Sequence, residues 1–179
     1  MSKMEIAFIT LVTGFILGNT VDFLKYQWKI LRKKKAVIDE ISDISHWMSE
    51  KIARIEEMIE HFVENGYKAH QIPSAIPTII FDSHYSDVAP YFRREERKAI
   101  VDIFLSVKSY NEHVDNAKFD DAAEVKKFYL FAYSHCKRGQ AAAEHFIANR
   151  DKSPLSLKSK ALIRANDETQ KFADKYRIL

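Results

Sequence analysis

The sequence predicts an all-α protein in which a single N-terminal transmembrane helix precedes a cytoplasmic antiparallel bundle of about four helices. Glycine and proline number four each among 179 residues, too few for a glycine-rich phosphate loop or for the many tight turns of an all-β domain. A long uncharged stretch lies near the N-terminus. Apolar residues in the rest of the chain recur every three or four positions, which is typical of amphipathic helices.

The first predicted element is the transmembrane helix. No charged residue occurs from Ile6 to Val21, and extension to Leu24 gives about 28 Å of helix at ~1.5 Å per residue. This length approaches the roughly 30 Å of a bilayer core. Residues with the character of a membrane surface follow: Tyr26, Trp28, Arg32, Lys33, Lys34 and Lys35. We therefore assign residues 1–35 to an anchor with a basic juxtamembrane segment that contacts the lipid bilayer.

Charge is divided unevenly between this segment and the body, residues 36–179. Residues 1–35 carry seven Lys or Arg against two acidic residues, whereas the body carries 21 against 23. The near-neutral body lacks the basic stripe that nucleic-acid binding requires, so no nucleic-acid partner is expected. Six basic residues follow the apolar stretch and only Lys3 precedes it. The positive-inside rule then predicts a single-pass protein of the inner (plasma) membrane with its N-terminus outside and its body in the cytoplasm.

Two other interpretations of the apolar stretch stay open. A core helix of the body would be buried and would need no aromatic belt beside it. A cleavable signal peptide would carry a stronger positive region than Lys3 alone and a small-residue cleavage site before the basic run. A retained anchor agrees best with the length, the belt and the charge bias together.

Two glycines mark one face of the apolar stretch. Gly14 and Gly18 form a GxxxG motif, and Thr10 lies one turn earlier on the same face. Small residues one turn apart let two helix backbones approach closely. The motif predicts association into a homo-oligomer, with a plain anchor or a different helix partner as the alternative.

Helical periodicity divides the body into four predicted helices. The first ends at Asn65 and Gly66, since glycine tolerates the left-handed conformation that ends a helix. The second is predicted to start with Asp87 as its N-cap and Pro90 in its first turn, and the fourth with Ser153 and Pro154. The third is predicted to open at Asp120 and Asp121. The four spans are about 36–65, 90–115, 120–147 and 154–176.

Charge patterning suggests how the helices pair. Residues 39–64 hold eight acidic and two basic residues, whereas residues 118–179 hold thirteen basic and eight acidic ones. The first and last helices of the body are therefore expected to attract each other, within one chain or between two.

Residues 67–89 are predicted to form a long connection, with a short helix inside it as an alternative. Long connections in small helical proteins are uncommon and often functional. Polar and aromatic side chains cluster at its end, and we take them as a candidate partner or ligand loop: Asp82, His84, Tyr85, Asp87 and Tyr91. Capping and turn formation are the alternative role for these residues.

No motif for catalysis, cofactor binding or metal binding is recognised. Glu-x-x-His pairs, a nucleophile elbow, a phosphate-binding loop and a dinucleotide fingerprint are all missing from the sequence. The acid and histidine pairs at Asp43 and His46 and at Glu57 and His61 are commonplace on acidic helix surfaces. Cys136 follows His135 directly, and adjacent helical side chains do not face one another. No catalytic residue, cofactor or metal is therefore assigned.

These observations predict a membrane-anchored helical module for interaction or sensing, self-associating and with an unidentified protein partner. An oligomeric effector that perturbs the membrane, such as a toxin or immunity component, is the alternative, because the span is weakly hydrophobic and contains both glycines, Asn19 and Asp22. A hydrolase or nuclease ranks third, since no catalytic motif supports it.

Overall fold

The computed structural model describes residues 2–149 and 152–178, and every regular element within them is helical. The all-α prediction is confirmed. Five α-helices occur in chain order: α1 (Lys3–Asn65), α2 (Ile79–Val88), α3 (Arg94–Asp115), α4 (Ala122–Ala148) and α5 (Lys160–Tyr176). Two short 3₁₀ helices accompany them, at Tyr67–Ala69 and Ala89–Tyr91.

Helix α1 joins the apolar stretch and the first helix of the body in one unbroken rod of 63 residues, about 95 Å long. At its start, the Ser2 hydroxyl accepts a hydrogen bond from the Glu5 N–H, and the Glu5 carboxylate accepts one from the Ser2 N–H. At its end, Gly66 has a φ of 79° and donates its N–H to the Phe62 carbonyl at 2.9 Å. The predicted end at Asn65 and Gly66 is confirmed.

The two halves of α1 differ in burial. None of residues 3–29, which we call the stem, is buried, and the first buried residue is Ile30. Beyond it, one face enters the core at Val37, Ile41, Ile44, Met48, Ile52, Ile55, Ile59 and Phe62. The stem therefore lies outside the core that is formed by the described residues.

The predicted start of the second helix of the body is wrong. Asp87, the expected N-cap, lies in the last turn of α2, and Pro90 lies in the 3₁₀ helix that follows. Because Pro90 has no N–H to donate, the hydrogen-bond ladder of α2 stops there. Helix α3 begins instead at Arg94, where the Glu96 carboxylate accepts the Arg93 N–H at 2.7 Å. The predicted connection at 67–89 thus contains a helix of ten residues.

The predicted start of the last helix at Ser153 and Pro154 is also wrong. The Ser153 hydroxyl accepts a hydrogen bond from the Asn149 side chain at 2.8 Å. Ser159 caps α5, since its hydroxyl accepts the Leu162 N–H at 3.2 Å. By contrast, the predicted opening of α4 is confirmed, because the Asp121 carboxylate accepts the N–H groups of the first turn at 2.7 and 2.8 Å.

Helix α4 contacts α1, α3 and α5 and so lies at the centre of the core. Tyr129, near its start, packs edge-on against Phe62 near the end of α1, with ring centroids 6.3 Å apart. Tyr133 stacks on Phe172 of α5 at 4.2 Å. Between the first and last helices, the Lys175 ammonium pairs with the Glu60 carboxylate at 2.8 Å within one chain. The attraction of the two helices as a whole stays a prediction.

Gly139 lets α4 approach α1 and α3 closely. A Cβ atom at this position would overlap the Met48 side chain and lie 3.2 Å from the Ser106 Cβ. Met48 is fully buried, so its thioether can move aside only if its buried neighbours repack. We expect Gly139→Val to lower the free energy of unfolding by about 1–3 kcal/mol through overpacking.

Urea unfolding of the full chain in detergent, followed by circular dichroism, measures this loss. Met48→Ala in the same chain should recover part of it, since the two positions compete for one volume. If the stability losses of the two single variants simply add in the double variant, the two side chains do not compete for one volume.

Candidate functional site

The structure brings together two groups of residues that are more than fifty positions apart in the sequence. The Lys33 ammonium lies 2.5 Å from the Asp87 carboxylate, and Lys34 donates to the Tyr91 carbonyl at 2.7 Å. The hydroxyls of Tyr26 and Tyr91 are 2.6 Å apart. We call this set, Tyr26, Lys33, Lys34, Asp87 and Tyr91, the stem-base contact. It joins the predicted membrane-surface residues of α1 to the predicted partner loop.

The stem-base contact touches the C-terminal end of α2, and Glu40 of α1 holds its N-terminal end. Its carboxylate accepts the N–H groups of Ile80 at 2.9 Å and Phe81 at 2.7 Å. The N-cap residue Thr78 makes no side-chain cap of its own, so Glu40 supplies the acceptor that the first turn of α2 needs. Glu40 is 3% exposed and is the one buried charged side chain among the described residues.

Sequence reasoning missed Glu40, although a signal was present. Glu40 lies three residues after Val37 and four before Ile44, within the apolar seam of α1. An acidic residue on a buried face usually has dedicated hydrogen-bond partners. Its burial raises the pKa of the carboxyl group, which outweighs the lowering by the two N–H donors.

Aromatic stacking holds α2 against α3. The Phe81 ring stacks on Phe104 of α3 with centroids 3.7 Å apart and on Tyr85 at 4.5 Å. The Tyr85 hydroxyl donates to the Arg97 carbonyl at 3.4 Å, and burial raises the pKa of this phenol. Tyr85, predicted as a loop residue for a partner, is therefore part of the packing of α2.

The other predicted loop residues have distinct roles. Asp82 accepts a hydrogen bond from the Thr78 hydroxyl at 2.7 Å at the start of α2. His84 is half-buried, and its Nδ1 atom has no hydrogen-bond partner in the described part of the chain. Asp87 belongs to the stem-base contact, where hydrogen bonding to Lys33 lowers the pKa of its carboxyl group.

A groove of about 380 Å³ lies between α2 and α3, beside these residues. Phe81 and Phe104 supply its apolar wall, and Asp82, Lys108 and Glu112 supply charge at its edges. The mixture of aromatic wall and charged rim is typical of sites that bind small ligands or peptide side chains.

The four consecutive basic residues of α1, at positions 32–35, divide into two sets. Lys33 and Lys34 turn toward the body, and Lys34 also lies over the Phe92 ring at 4.6 Å. Arg32 remains exposed and lies over the Trp28 ring at 4.7 Å, an arrangement that keeps both side chains outside the body. Lys35 is exposed as well. Contact of these residues with a membrane surface stays a prediction.

The stem carries the candidate membrane span. A window of 18 residues within α1 has a mean hydropathy of 1.7, and none of it is buried. A Cβ atom at Gly14 or Gly18 would meet nothing within 4 Å, and Thr10 donates its hydroxyl back to the Ile6 carbonyl at 2.9 Å. The predicted association face is therefore open in the single chain, and the association itself stays a prediction.

The described residues contain no group of three or more His, Cys, Asp or Glu side chains suited to a metal ion. Cys136 is fully buried, and burial raises the pKa of its thiol to about 12. At neutral pH this thiol stays protonated and is a poor nucleophile. His113 and His135 line a cavity of about 510 Å³, where burial lowers the pKa of both rings.

No protein-family model, curated protein or solved structure matches the chain.

Proposed function

We propose that the protein is a single-pass, membrane-anchored helical module for interaction or sensing. In this proposal, the stem crosses the inner membrane through residues 6–24, and an antiparallel helical bundle lies in the cytoplasm. The observation that carries it is the form of α1, which is apolar and exposed over one bilayer thickness and then continues without a break into the core. The basic residues that follow the apolar stretch support the cytoplasmic placement.

The contacts of α2 suggest a mechanism. A ligand or protein partner would bind at the groove between α2 and α3 and shift α2, which touches α1 at both ends. One end is held by Glu40 and the other by the pair of Lys33 with Asp87. The 3₁₀ helix that follows α2 is held by the contact of Tyr26 with Tyr91. Because Tyr26 lies two residues beyond the apolar stretch, a movement of α2 would reach the membrane surface along one rigid helix.

Self-association through the stem completes the proposal. Gly14 and Gly18 present one open face, and no part of the described body covers it. In a bilayer, such a face lets a second copy of the helix pack at short distance.

Cysteine cross-linking in membranes tests this part. In a Cys136→Ala background, Gly14→Cys and Gly18→Cys should each yield disulfide-linked dimers after mild oxidation at native expression. Ile16→Cys is the matched control, since position 16 lies about 200° around the helix from position 14 and should remain monomeric. Monomers at all three positions would remove the dimer from the proposal.

A further inference from the structure

We propose that the start of α3 is a second membrane contact, which binds anionic lipid headgroups beside the anchor. The headgroup surface consists of Lys29 and Arg32 of α1 with Arg93, Arg94 and Lys98. This inference rests on the proposed function, since it needs the stem to be in the bilayer. It adds that the body lies on the membrane and recognises its charge.

The stem-base contact places this surface at the correct depth. Tyr26 follows Leu24 by two residues and so belongs to the headgroup layer when residues 6–24 fill the bilayer core. Its hydroxyl is 2.6 Å from that of Tyr91. Arg94 follows Tyr91 by three residues, at most about 11 Å of extended chain. The Tyr91 carbonyl is bound by Lys34, which lies about 12 Å further along α1 than Tyr26. The first turn of α3 is thus held beside the headgroup layer, on the side away from the bilayer core.

The residues of the headgroup surface are accessible. Arg94 is exposed, and the side chains of Arg93 and Lys98 are 63% and 51% exposed. Arg93 pairs with Glu96 at 3.6 Å and Lys98 with Glu95 at 3.1 Å. The pair of Lys98 with Glu95 is exposed on both sides and weak, so the Lys98 ammonium can turn toward anionic lipid. The Arg93 side chain stays 63% exposed while it pairs with Glu96, which is 17% exposed.

Charge is polarised along the body in the direction that a membrane contact requires. At the end near the stem, residues 25–35 carry six basic and no acidic residues, and residues 93–98 carry four basic and two acidic ones. At the far end, residues 54–66 carry four acidic residues and one basic residue, residues 115–124 do the same, and residues 171–177 at the end of α5 carry one acidic and three basic ones, so acidic residues still outnumber basic ones there. The basic end therefore faces the lipid, while the acidic end points away from it.

This complementarity favours lipid over an acidic protein as the occupant. The anchor holds the basic end beside headgroups permanently, at a high effective concentration. Each basic residue at an anionic surface strengthens such binding about five-fold.

Amide hydrogen exchange of the full chain in lipid nanodiscs tests the proposal. One set of discs contains phosphatidylcholine alone, and the other contains equal parts of phosphatidylcholine and phosphatidylglycerol. We expect exchange in residues 89–98 to be about five-fold slower or more in the anionic discs. Residues 116–121, at the far end of the body, serve as the internal control and should exchange equally in both.

Charge reversal separates lipid binding from an indirect effect. Arg94→Glu with Lys98→Glu should abolish the slowing, whereas Lys118→Glu with Lys127→Glu, an equal change at the far end, should preserve it. Equal exchange of residues 89–98 in both discs, as expected for a surface that binds an acidic protein, would overturn the inference. Slowing that survives the Arg94 and Lys98 reversal would also overturn it. Fast exchange of residues 6–24 in both discs would instead overturn the membrane anchor itself.

Discussion

Replacement of Leu17 by arginine is expected to release most of the protein from the membrane. Leu17 lies near the middle of the apolar stretch and is 60% exposed, so the change disturbs no core contact. An arginine at the centre of a spanning helix costs about 2.5–3.5 kcal/mol of insertion free energy. The stretch is only moderately hydrophobic, so a cost of this size outweighs much of its tendency to insert. Alkaline carbonate washing of membranes, followed by immunoblotting, measures the released fraction.

Leu157→Arg is the matched control. Leu157 is 86% exposed and lies in the body, between α4 and α5. The same chemical change there should leave the protein in the washed membrane pellet. A Leu17→Arg protein that stays in the pellet as completely as the Leu157→Arg protein would contradict insertion of the stem.

Glu40→Ala is expected to lower the free energy of unfolding by about 2–4 kcal/mol. The substitution leaves the N–H groups of Ile80 and Phe81 without their acceptor in a part-buried position. Each buried donor that loses its partner costs about 1–3 kcal/mol. Urea unfolding in detergent measures the loss, and faster amide exchange in residues 79–88 would show that α2 is the element released.

Two variants separate the role of Glu40 as the cap of α2 from the effect of removing a negative charge. Asp39→Ala removes a neighbouring exposed carboxylate and should change the free energy of unfolding by less than about 0.5 kcal/mol. Glu40→Gln keeps an oxygen acceptor and should cost less than Glu40→Ala. Equal losses for Asp39→Ala and Glu40→Ala would show that Glu40 does not cap α2.

The pH dependence of Glu40 follows from its raised pKa. The folded protein holds the proton of this carboxyl group more tightly than the unfolded chain, whose pKa is the ordinary value of 4.5. The contribution of Glu40 to stability is therefore most favourable below pH 4.5 and falls as the pH rises through the pKa of the folded protein. Measured against the Glu40→Gln variant, which cannot ionise, the natural protein should lose stability from pH 4 to pH 7. A gain over this range would contradict the assigned direction.

Local signals in the sequence predicted much of the fold. The period of the apolar residues identified the body helices, Gly66 marked the end of α1, and Asp121 marked the start of α4. The start of α3 was mistaken because Asp87 belongs to α2, and the true N-cap residue, Arg93, makes no side-chain cap that a sequence pattern could reveal. The start of α5 was mistaken because its segment offers two serines. Ser153 and Ser159 have equivalent chemistry, and the contact of Ser153 with Asn149 decides between them. That contact depends on the end of α4, which a local pattern does not describe.

The sequence identified residues of the candidate site, but it did not show that they meet. Composition singled out Lys33 and Lys34 as membrane-surface residues, and Asp87 and Tyr91 as loop residues. Their meeting depends on the docking of α2 along α1, which Glu40 and the stacking of aromatic rings determine. Both are contacts between distant parts of the chain, so no spacing within one segment could have revealed them.

Labelling of single cysteines in intact spheroplasts tests the central claim most directly. In a Cys136→Ala background, Met4→Cys places a thiol at the start of the stem, and Lys118→Cys places one at the far end of the body; both positions are exposed. With a membrane-impermeant maleimide, the account predicts that Met4→Cys is labelled in intact cells and Lys118→Cys only after lysis. Labelling of both thiols on the same side of the membrane would contradict a spanning stem.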